Sequence, residues 1–176
     1  MPEPRLTLAP FDKALHDRAA FSSGVVAMDR WLRESIGDQI RQNRLRVWCA
    51  TDPGGAFVGY YALAMHSVLP DEAPNLAGRR ERHPIPAIYL SALAVHQAHQ
   101  GKGIGGALLG DAILRSIRIS GEIGAAAIIL NVLEDETFER RRNFYTSLGF
   151  AGIGGDNPAR LYLTIRDAKA SLEPAG

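Results

Sequence analysis

The sequence carries one cysteine, Cys49, among 176 residues, so no disulfide can form within the chain. Cys49 sits in an apolar run between Trp48 and Ala50 and reads as a core residue, the alternative being a nucleophile. No apolar stretch approaches the ~20 residues that a membrane-spanning helix needs. The opening residues Met1-Pro2-Glu3-Pro4-Arg5 do not read as a secretory leader, so a soluble, cytoplasmic protein is expected, with no membrane partner. Charge is nearly balanced, with 20 Lys and Arg against 19 Asp and Glu. No global basic field therefore advertises nucleic acid, and attraction to phosphate would have to come from local clusters. There is no G-x-x-x-x-G-K-[ST], which excludes a P-loop. Repeats and low-complexity linkers are absent, no metal site is expected, and the length suits one domain over 1–176.

What the chain does have is glycine in one telling place. Val95-His96-Gln97-Ala98-His99-Gln100-Gly101-Lys102-Gly103-Ile104-Gly105-Gly106-Ala107 reads as a strand end, a polar turn, a glycine-rich loop and a helix start. Glycines leave backbone N–H groups uncovered, and a helix N-terminus adds partial positive charge, so the segment is a seat for phosphate or pyrophosphate. Gly101, Gly103 and Gly106 also satisfy the dinucleotide fingerprint G-x-G-x-x-G. Against that reading, the motif lies past the middle of the chain. The next strand ends in Asn131-Val132 without the ribose-binding carboxylate, and too little chain follows for a second half-sheet. Glycines that serve only tight packing at a strand–helix junction are the remaining alternative.

The hydrophobic pattern around this segment predicts a mixed α/β chain. Ser22 or Ser23 would cap a helix running to about Arg44, with Met28, Leu32, Ile36 and Ile40 as its apolar stripe and Gly37 as a weak point. Leu45–Thr51 and Phe57–Met65 would form an antiparallel hairpin across the turn Asp52-Pro53-Gly54-Gly55. A polar loop from Pro70 to Pro86 precedes a buried strand over Ile88–Val95. A helix from Gly103 to about Ser120 would turn Leu109, Ile113 and Ile117 inward and Asp111, Arg115 and Arg118 outward, ending at Gly121 and Gly124. Ala126–Val132 would follow as a strand parallel to the previous one. Glu136–Leu148 would be a helix stopped by Gly149, and Leu161–Ile165 a last strand, with a short helix or frayed tail beyond Arg166.

Gln100-Gly101-Lys102-Gly103-Ile104-Gly105 resembles the Q/R-x-x-G-x-G/A signature of the GCN5-related N-acetyltransferases, the GNAT family, whose loop cradles the pyrophosphate of acetyl-CoA. Leu93-Ala94-Val95 resembles the splayed strand before that loop. Asn143-Phe144-Tyr145-Thr146-Ser147-Leu148-Gly149-Phe150 is similar to the family's F-Y-x-x-x-G-F segment. A narrower resemblance covers nearly the whole chain. Phe21-Ser22-Ser23-Gly24 with Met28-Asp29-Arg30-Trp31-Leu32 resembles the F-x-x-G…L-D-x-W/F-L opening of GNAT toxins from type II toxin–antitoxin modules. Gly59-Tyr60-Tyr61-Ala62-Leu63-Ala64 and Ile85-Pro86-Ala87-Ile88-Tyr89-Leu90 extend it. The chain departs from that pattern at Ala92, where arginine is frequent, at His96, where Asp or a similar residue is frequent, and at Arg141, where alanine is usual.

The resemblance implies a GNAT fold, a central mixed sheet with a βαβ cofactor-binding core flanked by helices. It implies acetyl-CoA held by Leu93, Ala94, Val95, Gln100, Gly101, Lys102, Gly103, Ile104, Gly105 and Gly106, with Asn131 and Phe144 also at the cofactor. Tyr145 would be the general acid for the departing thiolate, the alternative being an aromatic that only packs beside Phe144. The acceptor would be the α-amine of an aminoacyl-tRNA, the partner a ribbon-helix-helix antitoxin and the assembly a homodimer. Arg79, Arg80, Arg140, Arg141 and Arg142 are candidate contacts to tRNA phosphates, with a solvated surface as the alternative. Arg82, Arg41, Arg44 and Arg46 are further basic residues of the same kind. A protein lysine titrates near 10.4 and an α-amine near 8, so the latter needs less help from a base. Glu134, Asp135, Glu136, His96 and His99 lie near the expected site, but none reads as a clear base. An enzyme acting on a small amine, or a non-catalytic acyl-CoA-binding module, would share the same loop.

Overall fold

The computed structural model describes residues 5–173. Its strands are β1 (Thr7–Pro10), β2 (Arg46–Thr51), β3 (Phe57–Val68), β4 (Ile85–Val95), β5 (Ala127–Asn131), β6 (Ala151–Gly152) and β7 (Arg160–Thr164). The helices are α1 (Val26–Glu34), α2 (Ile36–Arg41), α3 (Ile104–Ile123), α4 (Phe138–Ser147) and α5 (Ile165–Leu172). The strands form one mixed sheet in the order β1-β2-β3-β4-β5-β7-β6. β4 and β5 run parallel with α3 between them in sequence, the βαβ unit expected from the pattern, while β1-β2-β3 and β5-β7-β6 are antiparallel. The short outer strands β1 and β6 carry no clear alternation and were not legible in the sequence. The chain divides into two compact units, one from residues up to 64 with 90–112, the other from 65–89 with 113 onward.

In the first unit, Phe21, Leu32, Ile36, Leu45, Val47, Cys49, Tyr60, Ala62, Ala92 and Ala94 form the core. Phe21 lies 4.8 Å from the ring of Phe57 and 5.4 Å, edge-on, from that of Tyr60. Aromatic pairs of this kind add about 0.5–1.5 kcal/mol to simple burial. The long first helix expected over Ser23–Arg44 is instead two helices broken at Ser35. The guanidinium of Arg18 donates to the carbonyls of Leu32 (3.4 Å) and Arg33 (3.1 Å), so two orphan acceptors at the end of α1 find a donor outside the helix. Neither Ser22 nor Ser23 caps α1. Val25 flanks its start without a side-chain cap, and both serines turn elsewhere.

Gly59 of β3 is a close-approach glycine. A Cβ there would meet Leu108 Cδ1 at 2.8 Å and the Ala94 carbonyl at 3.0 Å, so α3 packs tightly onto the sheet only because the side chain is missing. The inner face of α3 is Leu108, Leu109, Ala112 and Ser116, rotated from the stripe expected, and Ile113 and Ile117 are half-buried. Asp111 is likewise not an outer-face residue, because it accepts a hydrogen bond from the buried Tyr61 hydroxyl.

In the second unit, Val68, Ala73, Ile85, Ala87, Ile129 and Ile153 form the core. The β4–β5 ladder covers Ala87–Tyr89 against Ala127–Ile129, whereas β4 itself continues to Val95. The tail after Arg166 is helical, with the hydroxyl of Thr164 capping the N–H of Asp167.

Candidate active site

The glycine loop has the backbone that a phosphate seat needs. Gly101 and Gly103 lie at φ +76° and +80°, a region in which L-residues are strained by about 1–2 kcal/mol. Helix hydrogen bonding begins with Ala107 N–H donating to Gly103 O at 3.1 Å. The N–H groups of Ile104, Gly105 and Gly106 therefore belong to the first turn, where no helical carbonyl reaches them. A Cβ built at Gly101 or Gly106 meets nothing within 4 Å, so there is open space beside the loop at both positions. Bare donors, open space and the positive end of α3, a helix of 20 residues, fit a pyrophosphate.

The side chains on either side of the loop are less free than the sequence suggests. The Gln100 amide donates to Ser23 O (2.9 Å) and Val95 O (3.0 Å), so it ties the loop to its own fold. Lys102 Nζ lies 3.4 Å from Ala98 O. His96 Nδ1 accepts from Ala98 N at 3.1 Å, which puts its ring proton on Nε2, facing Ala20 O at 3.4 Å. With both nitrogens engaged, His96 is not a poised base. His99 lies edge-on to it at 5.8 Å. Leu93 and Val95 are half-buried and Ala94 is buried, at the end of β4 beyond its ladder with β5.

Tyr145 is placed by the end of α4. With Leu148 as the last half-helical residue, Gly149 N–H donates to Thr146 O (3.2 Å) and Phe150 N–H to Tyr145 O (3.2 Å). Those two bonds, with Gly149 at φ +99°, are a Schellman motif, and the ring of Phe150 covers Tyr145 at 5.9 Å in its usual apolar contact. The spacing Y-x-x-x-G-F is thus the spacing of a helix stop that fixes the tyrosine. Phe144 lies edge-on at 5.1 Å. Burial pushes the Tyr145 phenol up to about 12, with Arg141 pulling weakly the other way. At neutral pH it holds its proton, as a general acid must.

The acidic turn before α4 supports the helix. Asp135 forms an ion pair with Arg141 Nη1 at 2.6 Å and accepts from Thr137 N and Oγ1 at 2.8 Å each. These bonds, that of Arg141 first, hold its carboxyl down at about 2. Arg141, a candidate tRNA contact by sequence, is therefore committed to this turn. Arg142 Nε donates to Pro158 O at 3.3 Å. Arg79, Arg80 and Arg140 are exposed. Cys49 is buried and its thiol is pushed up to about 12, which leaves it a core residue.

Two constellations were missed by sequence reasoning because they join distant positions. One is Asp29, buried on α1, which accepts from Ser22 Oγ, Ser23 N and Ser23 Oγ. The other is a polar row across β3, β4, β5 and β7. His66 Nε2 accepts from Arg160 Nη2 at 2.7 Å, its ring lies 5.3 Å from Tyr89, and Asn131 Nδ2 donates to the Tyr89 hydroxyl at 3.0 Å. Burial and then Arg160 hold the His66 pKa below its ordinary value. Asn131, expected at the cofactor, is engaged in this row.

Comparison with known proteins agrees with the geometry. The acetyltransferase (GNAT) domain model matches residues 43–151. The chain is 38% identical over 158 residues to a tRNA-acetylating toxin of Mycobacterium tuberculosis, covering 89% of this chain and 90% of that one. It is 34% identical over 171 residues to a probable toxin TacT of Sinorhizobium fredii, covering 94% of each. Among solved structures, a crystal structure of AtaTR bound with AcCoA superposes with a TM-score of 0.75 at 25% identity, covering 96% of this chain and 98% of that one. The family model spans more than half of the chain, and the relatives match nearly all of it: the protein is a GNAT acetyltransferase.

Proposed function

We propose that this protein is a toxin that acetylates the α-amine of an aminoacyl-tRNA and so stops translation. The observation that carries the acceptor is the 38% identity to a tRNA-acetylating toxin across 89% of this chain. Acetyl-CoA is the donor, and it supplies an acetyl group activated as a thioester.

This chain's own residues do the rest. The backbone N–H groups of Gly101, Lys102, Gly103, Ile104, Gly105 and Gly106 hold the pyrophosphate at the positive end of α3. Leu93-Ala94-Val95, beyond the ladder with β5, offers strand-edge amides to the donor's pantetheine arm. An N–H near Val95 stabilises the oxyanion as charge develops on the carbonyl oxygen. Phe144 and Asn131 are further candidate contacts to the donor. Tyr145 gives its hydroxyl proton to the leaving thiolate, which its raised pKa keeps available. An α-amine titrating near 8 is partly neutral at physiological pH, so no dedicated base is required. The engaged ring of His96 is consistent with this.

Exposed Arg79, Arg80 and Arg140 attract tRNA phosphates, while Arg141 and Arg142 contribute charge from positions also bound into the fold. The partner that restrains the toxin is a ribbon-helix-helix antitoxin, the assembly is a homodimer, and the site of action is the cytoplasm. In vitro translation with purified protein tests the reading. Translation stops with acetyl-CoA and wild-type protein, and continues when either acetyl-CoA or Tyr145 is removed. Undisturbed translation by a protein that binds acetyl-CoA would point to a small-molecule amine or to a non-catalytic module.

A further inference from the structure

We propose that Asp29 is a positioning residue for the phosphate loop, acting through the segment Phe21–Gly24 and the side chain of Gln100. A buried carboxylate is costly unless donors surround it. Asp29, on α1, takes its donors from two consecutive residues. Ser23 N donates to Oδ1 at 2.9 Å, Ser23 Oγ to Oδ1 at 2.6 Å and Ser22 Oγ to Oδ2 at 3.2 Å. Bonds to an ionised acceptor are roughly twice as strong as neutral ones, so this short stretch of backbone is firmly set.

Its carbonyls then serve as the fixed side of a second set of bonds. Ser22 O accepts from Gln97 N at 2.8 Å, at the start of the turn that leaves β4. Ser23 O accepts from Gln100 Nε2 at 2.9 Å, at the end of that turn. The same amide nitrogen reaches Val95 O at 3.0 Å. Phe21, 2% exposed, sits edge-on to His96 at 5.5 Å, so the segment is also held from below. Both ends of the turn Gln97–His99 are therefore pinned to a loop that Asp29 holds, and the next residue after Gln100 is Gly101. On this account the N-terminal Phe-Ser-Ser-Gly…Asp pattern serves the cofactor loop by holding the turn that leads into it.

The inference rests on the reading of the loop as an acetyl-CoA seat. The test is calorimetric titration of the full-length protein with acetyl-CoA, alongside steady-state kinetics and thermal melts. The variants are Asp29→Asn, Gln100→Ala and the double substitution. Each single change is expected to raise the Kd for acetyl-CoA about five- to tenfold, the size of one or two lost hydrogen bonds. The double is expected to raise it no further than the larger single, because both act on one chain of contacts. Asp29→Asn should raise KM for acetyl-CoA with kcat held within about twofold, a split that simple destabilisation does not produce. Should Asp29→Asn fail to fold, Ser22→Ala removes one bond of the clamp and should show the same split on a smaller scale. A lowered melting temperature with unchanged Kd, or single effects that multiply in the double, would overturn the proposal while leaving the donor reading intact. Wild-type protein that does not bind acetyl-CoA would take down the donor reading, and this proposal with it.

Discussion

The loop Gly101–Gly106 and the helix end Phe144–Phe150 both depend on glycines at positive φ, yet they use them for different ends. In the loop the glycines are the proposed binding surface: they uncover backbone donors and leave space beside them. At the helix end Gly149 is scaffolding, and the proposed proton donor is the side chain of Tyr145, which the Schellman bonds and Phe150 hold in place. The first arrangement works through backbone N–H groups, which do not titrate, and should respond chiefly to shape. The second should respond to chemistry and to pH.

The sharpest way to separate the two is Tyr145→Phe. The ring contacts with Phe144 and Phe150 remain, and only the proton donor is lost. Acetyl transfer should fall about 10²–10⁴-fold, the usual range for a general acid, with the Kd for acetyl-CoA unchanged. A stopped-time assay of acetylated aminoacyl-tRNA beside calorimetry reads both quantities. Activity within tenfold of wild type would remove Tyr145 from the chemistry and return it to packing.

The converse change is Gly101→Val. A Cβ there meets nothing within 4 Å, so what it adds is backbone strain at φ +76° and bulk over the donors. About 1–2 kcal/mol of strain corresponds to a five- to thirtyfold weaker Kd for acetyl-CoA. At saturating donor, kcat should hold. If kcat collapses and Kd does not, the loop is acting on the chemistry rather than on binding.

Both of these features were legible in the sequence because each is local. The glycine spacing and the Y-x-x-x-G-F spacing are complete within a few residues, and their geometry follows from backbone rules that travel with the sequence. The βαβ core was legible for a similar reason, since β4, α3 and β5 each carry a strong hydrophobic period. The Asp29 clamp was visible only as a resemblance, because its meaning lies in bonds that join Ser22 and Ser23 to Gln97 and Gln100 across more than seventy positions. The row of His66, Tyr89, Asn131 and Arg160 gave no signal as a row, because only the fold brings the four strands' residues together. The basic run Arg140-Arg141-Arg142 misled in part. Charge on a helix reads as a free surface until a partner such as Asp135 is seen. The break at Ser35 was hidden because the i, i+4 stripe continues through it, while Arg18, which serves the carbonyls at the end of α1, lies outside the helix.

A third experiment tests whether Gly149 is only scaffolding. Gly149→Ala places a Cβ 3.5 Å from Leu163 Cδ1, an ordinary contact, so its cost is the strain at φ +99° and the loosened helix stop. About 1–2 kcal/mol of destabilisation is expected, a fall in Tm of about 2–8 °C. In the folded protein kcat should drop several-fold while the Kd for acetyl-CoA stays put, because Tyr145 moves and the loop does not.

The smallest effects are those of pH, and they act with opposite sign at the two ends of α4. Tyr145 has its folded pKa raised to about 12 from an ordinary value near 10, so its protonated form is favoured in the fold. That contribution is intact below pH 10 and is lost as pH rises through about 12. No fall in kcat from ionisation of Tyr145 should appear up to about pH 10. Asp135 is the opposite case. Its carboxyl is held at about 2, chiefly by Arg141, so its contribution is present above the unfolded value near 3.9 and is lost as pH falls through about 2. Thermal melts between pH 5 and pH 2 should therefore show a steeper loss of Tm for wild type than for Arg141→Ala, in which the carboxyl titrates closer to normal. Equal slopes would mean that Arg141 is not held by the turn in solution. It would then be free to serve, like Arg140, as a contact for tRNA phosphates.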